Sequence, residues 1–171
     1  MSGTQASAIA ERAIFREEVT LRASFEGGAL YALDGDSHYE DRFFLSSRQM
    51  RGFEPYGLGP RDTNATNEDA LGGNYFAVAR FEAAFPLGLP EEYGISGGVF
   101  YDIGSVWGLD DTDGAGGPNS VDDDLYWRSV VGFSVFWDTA LGPLRFNFSH
   151  ALDTQPYDET RDFDFTVETR F

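Results

Sequence analysis

Apolar and polar residues alternate with a period of two along most of this chain, which predicts strands rather than helices. Val19, Leu21, Ala23 and Phe25 alternate with Glu18, Thr20, Arg22, Ser24 and Glu26. Tyr75, Ala77, Ala79, Phe81, Ala83 and Phe85 share a face, with Arg80 and Glu82 on the other. Ile95, Gly97, Val99, Tyr101, Ile103 and Ser105 oppose Ser96, Gly98, Phe100, Asp102, Gly104 and Val106. Val131, Phe133, Val135 and Trp137 face one way, and Leu144, Phe146 and Phe148 alternate with Arg145, Asn147 and Ser149. At the end, Phe163, Phe165, Val167, Thr169 and Phe171 alternate with Asp162, Asp164, Thr166, Glu168 and Arg170. Six main antiparallel strands are expected over roughly 17–32, 73–86, 93–108, 125–139, 143–152 and 161–171. Gln5 to Phe15 is weakly patterned and reads as part of a seventh. No helix is convincingly patterned.

The connections alternate in length. Short turns, Pro86 to Pro90 and Thr139 to Pro143, follow the second and fourth clear strands; long excursions follow the first, third and fifth. Outer-membrane barrels are built this way, with turns on one side and loops on the other. Charges on the polar faces, such as Arg80, Glu82 and Arg145, suit a wet lumen better than a dry sandwich core. Strand lengths near the ~9–11 residues that cross a bilayer agree. The expected class is therefore all-β, with a transmembrane barrel ahead of a soluble acidic β-sandwich that binds ligands.

Composition narrows the function. At 171 residues the chain suffices for one domain, and 16% aromatics exclude a disordered chain. A net charge of −17 argues against nucleic acid and against docking on an anionic membrane surface. There is no cysteine, so no disulfide, thiol nucleophile or cysteine-based zinc site is available. Met1 to Ala8 lacks the basic and apolar segments of a signal peptide. Asp110-Asp111-Thr112-Asp113-Gly114 is similar to the start of a calcium loop but lacks the acid at its twelfth position. His38 and His150 are far apart and have no motif partners. No carboxylate pair is placed for acid–base work. The expectation is no catalytic residue, no metal site, no cofactor and no enzymatic activity.

One stretch does not fit a connector. Arg42 to Glu54 is rich in Phe and Arg and centres on Met50-Arg51-Gly52-Phe53. A glycine between a cation and an aromatic lets the backbone turn sharply and presents both side chains from a narrow tip. A lone acid, Asp102, stands among small and apolar neighbours in the strand 93–108, leaving room for a guanidinium that can bind it through two parallel hydrogen bonds.

These residues resemble the BamA family of outer-membrane β-barrel assembly factors, of the α-proteobacterial type. The resemblance rests on Arg42-Phe43-Phe44 leading to the 50–53 tip, on Gly59-Pro60-Arg61-Asp62, and on Ala70-Leu71-Gly72-Gly73-Asn74. It rests also on Phe100-Tyr101-Asp102-Ile103-Gly104 with Trp107, on Leu141-Gly142-Pro143-Leu144, and on the terminal Phe171. Met50 stands where the family usually has valine, a mild apolar exchange.

The resemblance implies a sixteen-strand barrel, of which residues 1–171 are the C-terminal six to seven strands, without the periplasmic domains. It implies that the long loop folds into the lumen, where Arg51 meets Asp102 and Gly104 clears space for the loop. Met50 and Phe53 pack the tip, and Phe163, Phe165 and Phe171 belong to the C-terminal strand signal of barrel proteins. The implied role is insertion of client barrels by strand pairing at a lateral seam. The implied partners are unfolded outer-membrane client proteins, outer-membrane lipids and assembly-complex lipoproteins. A related barrel for protein secretion shares the loop motif and stands as the alternative.

Overall fold

A computed structural model describes residues 2–14, 18–31, 37–140 and 142–167. Seven strands follow in chain order: β1 (Ser2–Ile14), β2 (Val19–Tyr31), β3 (Tyr75–Pro86), β4 (Ile95–Trp107), β5 (Arg128–Thr139), β6 (Gly142–Asp153) and β7 (Phe163–Val167). Each pairs antiparallel with its sequence neighbours in a single sheet ordered β1 to β7. Phe15 lies outside the described residues, and the weakly patterned segment from Gln5 lies in a full strand as far as Ile14, paired with β2 from Ser2↔Tyr31 to Ile14↔Val19. Its faint signal has a physical reason. Ala6, Ala8 and Ala10 occupy one face and Ser7 and Glu11 the other, so hydropathy contrast across the strand is small. Phe171 lies outside the described residues.

The two faces of the sheet differ sharply. One carries Leu21, Phe25, Phe81, Val99, Tyr101, Val131, Phe133, Phe148, Phe163, Phe165 and Val167, all large, apolar and exposed. Burying such a row in water-free surroundings gains about 1.5–3 kcal/mol per side chain, so a face like this belongs against lipid. At the long-connection end the apolar face carries Tyr31, Tyr75 and Trp107, with Tyr31 edge-on to Tyr75 at 6.0 Å and Tyr75 stacked on Trp107 at 5.8 Å. At the short-turn end Tyr93 and Trp137 are exposed. Aromatic rings at both ends of an apolar band mark the two interfaces of a bilayer. Strands of 12–13 residues rising ~3.3 Å per residue and tilted ~35–45° reach about 30 Å, a bilayer's hydrocarbon thickness.

The other face is polar at its centre and covered by the long connection after β2. This connection is closed at its neck, where Phe43 and Gly73 exchange two backbone hydrogen bonds of 2.8 and 3.0 Å. Inside the neck, Leu45, Met50, Phe53 and Leu58 pack on Phe76 and Val78 of β3, Phe100 and Val106 of β4, and Val130 of β5. The apolar core therefore lies between loop and sheet. Glycines in the sheet make room for its rings. Phe100 lies over its cross-strand partner Gly132, where any Cβ would collide with the ring, and Phe76 lies over Gly28, where a Cβ would sit 2.5 Å from it.

Candidate functional site

The tip of the connection is buried as a unit, with Met50 and Phe53 each 1% exposed and Arg51 7% exposed. Burying Met50 and Phe53 contributes about 3–6 kcal/mol together, which holds the tip against the sheet. Gly52 sits at φ 82°. A Cβ there would stand 2.7 and 2.9 Å from the two methyls of Val130 and 3.3 Å from the Cβ of Ser149. Both the conformation and the approach to β5 require glycine. Gly104 plays a related part on β4, since its missing Cβ would lie 3.0 Å from the Met50 sulfur. The space that Gly104 clears beside Asp102 is filled by Met50.

The structure brings Arg51 onto Asp102. Nε donates to Oδ2 at 2.7 Å, Nη2 to Oδ1 at 2.6 Å, and the Arg51 backbone N–H to Oδ2 at 3.2 Å. Asp102 is fully buried. The guanidinium stacks on the Phe100 ring at 3.7 Å from its centroid. Phe100 is two residues from Asp102 on the same face of β4, so one strand supplies both the counter-ion and the platform. The third prong, Nη1, donates to Glu82 Oε2 of β3 at 2.6 Å, and the same Glu82 oxygen accepts from Arg145 of β6. Arg145 donates Nε to Asn147 Oδ1 at 2.8 Å, and that oxygen accepts from Ser134 Oγ at 2.7 Å. A charge-assisted network thus crosses β4, β3, β6 and β5 with the loop arginine at its head.

Burial alone would pull the Arg51 pKa down, but the Asp102 and Glu82 carboxylates outweigh it and hold the group above the ordinary arginine value. The arginine is therefore charged, and it heads a buried cluster of paired ions. Glu82 and Arg145 escaped the sequence reading as members of the site, being taken for general lumen charges. In the sheet Glu82 pairs with Phe100 and Arg80 with Asp102, so all four share one face.

The rest of the loop joins the other long connections. Phe53 forms a bridge with Thr160, flanked by Glu54 N–H donating to the Glu159 carbonyl at 2.9 Å and Arg161 N–H to the Gly52 carbonyl at 2.9 Å. Arg61 donates to the Tyr56 carbonyl at 2.6 Å and to Glu159 Oε1 at 2.9 Å. Among the acids that resemble a calcium loop, Asp113 Oδ1 accepts from Asn119 N–H at 2.9 Å and Asp111 Oδ1 from Asp113 N–H at 2.9 Å. Phe163 and Phe165 of β7 are on the apolar face, away from the loop, ring to ring with Phe148 and Phe146.

Asp110 ties the neck to the second long connection, accepting from Ser37 N–H at 2.7 Å. Partial burial works to raise its pKa, but hydrogen bonds from Ser37 and Asn74 and the Arg42 charge outweigh it and leave the pKa below the usual aspartate value. With the folded pKa below the unfolded one, the tie contributes fully above the unfolded pKa. It is lost as pH falls through the folded value. We expect protection of the Ser37 amide to persist at neutral pH and to fade only below about pH 4. In an Asp110→Asn variant the residual protection should not change with pH over that range, and amide exchange measured against pH checks both.

A model of the Omp85 superfamily domain matches residues 4–171. The outer membrane protein assembly factor BamA of Neorickettsia risticii is 31% identical over 159 residues, covering 92% of this chain and 20% of that protein. BamA of Neisseria meningitidis serogroup B is 30% identical over 139 residues, covering 71% of this chain and 17% of that one. The crystal structure of Haemophilus ducreyi BamA lacking POTRA domains 1–3 superposes with a TM-score of 0.75 at 20% identity, over 96% of this chain and 34% of that one. It supports the fold, a run of antiparallel barrel strands. The chain spans about a fifth of the length of the curated relatives it matches. With a domain match across nearly its whole length, the chain belongs to the Omp85 superfamily, and the relatives it resembles there are BamA assembly factors.

Proposed function

We propose that this chain forms barrel wall in a bacterial outer membrane and serves in the folding and insertion of client β-barrel proteins; its BamA relatives are named outer membrane protein assembly factors. The observation that carries this reading is the likeness to BamA assembly factors of a chain whose Arg51 tip is buried on Asp102 and Phe100. A secretion barrel shares the loop motif, so the tip alone does not separate the two. In this reading a client strand pairs at a seam of the complete barrel and satisfies N–H and C=O groups that are costly in lipid when unpaired, so strand pairing rather than covalent chemistry drives folding. Outer-membrane lipids and assembly lipoproteins complete the proposed set of partners.

The test is reconstitution. Full-length protein in lipid vesicles should accelerate the folding of an urea-unfolded client barrel over empty vesicles, followed by the client's gel shift or protease resistance. Passage of an unfolded polypeptide into the vesicle, without barrel formation in the membrane, would instead favour a secretion barrel.

A further inference from the structure

A second buried ion pair lies where β5 begins. Arg128, the first residue of β5, is 1% exposed, and the Asp158 side chain is fully buried. Nε donates to Oδ2 at 2.9 Å and Nη2 to Oδ1 at 3.0 Å, the two-pronged arrangement. Nη1 donates to the Tyr126 carbonyl at 2.8 Å and to Ser105 Oγ at 3.4 Å. Asp158 Oδ2 also accepts from Gln155 N–H at 2.6 Å. The Tyr126 and Tyr157 rings flank the guanidinium at 6.0 and 5.9 Å. Removing two charges from water is expensive, and a surface connection has no need to do it merely to close its own turn. Such a pair fixes position.

What it positions follows directly in the chain. One residue after Asp158, the Glu159 carbonyl and N–H bond the backbone of Glu54 and Gly57, and Arg161 N–H bonds Gly52. Then the Asp162 carbonyl accepts from Ser149 N–H at 2.8 Å, and β7 begins at Phe163. Among the described residues β7 pairs with β6 from Phe148↔Phe163 to Leu144↔Val167, and the segment 159–162 leads straight into that pairing. We propose that Arg128 and Asp158 are positioning residues that couple docking of the loop tip to alignment of β7. Tip and β7 share residues 159–162 as a common splint, and the ion pair anchors that splint to β5. Freeing the anchor loosens both, and docking the tip aligns β7. The inference is mechanical and can fail or stand whether or not the protein assembles clients.

Hydrogen exchange of the full-length protein in lipid tests it, comparing wild type with Arg128→Lys and Asp158→Asn. Lysine keeps the charge and loses the planar fork, while asparagine keeps the volume and one acceptor. Both variants should exchange about tenfold or more faster in 52–57 and in 159–167, with β2, β3 and β4 unchanged. Asp158→Asn is the milder change and serves if the lysine variant does not fold. Faster exchange confined to 154–158, equal acceleration in every strand, or no change in either variant would each overturn the coupling. Client folding measured in parallel reports separately on the proposed function.

Discussion

Asp102→Ala should release the loop tip. The substitution removes the carboxylate that binds two guanidinium nitrogens and the Arg51 backbone N–H. Breaking a buried pair by deleting one partner costs about 3–5 kcal/mol. Glu82 remains on Nη1 and offsets part of this, so the lower end of that range is expected. Arg51→Lys keeps the charge but can address one carboxylate at a time and cannot lie flat on Phe100 as a guanidinium does. Each single change should open the loop to protease and slow client assembly. The double variant should do little more than either alone, because both remove one shared interaction. Additive effects, or a loop that stays protected in both single variants, would mean that the contact holds nothing.

The second large effect is expected at Gly52. Alanine there adds a left-handed strain of about 1–2 kcal/mol and an overlap with Val130 worth about 1–3 kcal/mol more. Val130 is itself completely buried, between loop and sheet, and has nowhere to retreat. Gly52→Ala should therefore expel the tip nearly as well as Asp102→Ala, with Arg51 and Asp102 both intact. Val130→Ala removes the two methyls that the new Cβ would meet. Combined with Gly52→Ala it should recover part of the loss, because the overlap is relieved and the strain remains. Loop protection against protease, in the two single variants and the double, reads both terms. No recovery would mean that backbone conformation alone demands glycine at this position.

The strands facing lipid were legible because their outward positions are uniformly large and apolar, so a period of two is hard to miss. β1 was faint because alanines on one face alternate with a mixed Ser7, Ile9 and Glu11 on the other, which gives little contrast. The contact of Arg51 with Asp102 was implied by the family resemblance, and an acid alone among small residues, with room for a guanidinium, supported it. Its extension to Glu82 and Arg145 was hidden, since a strand charge facing a lumen reads as solvated until the loop covering it is placed. Arg128 and Asp158 were not legible at all. Asp158 sits in a polar connection where solvent is the natural expectation, and no period links residues of an irregular loop. The register irregularity between Ser129 and Val130 also has no sequence signature.

The central claim is that the tip of the long loop is a fixed internal part of the sheet rather than a surface loop. Hydrogen exchange of residues 50–57 in the lipid-embedded wild-type protein tests it most directly. The amides of Met50, Arg51, Glu54 and Gly57 are all hydrogen-bonded, to Ser46, Asp102, Glu159 and Glu54. They should exchange as slowly as the amides of β3 and β4 that they pack against. Exchange within seconds, as in an exposed loop, would contradict the account.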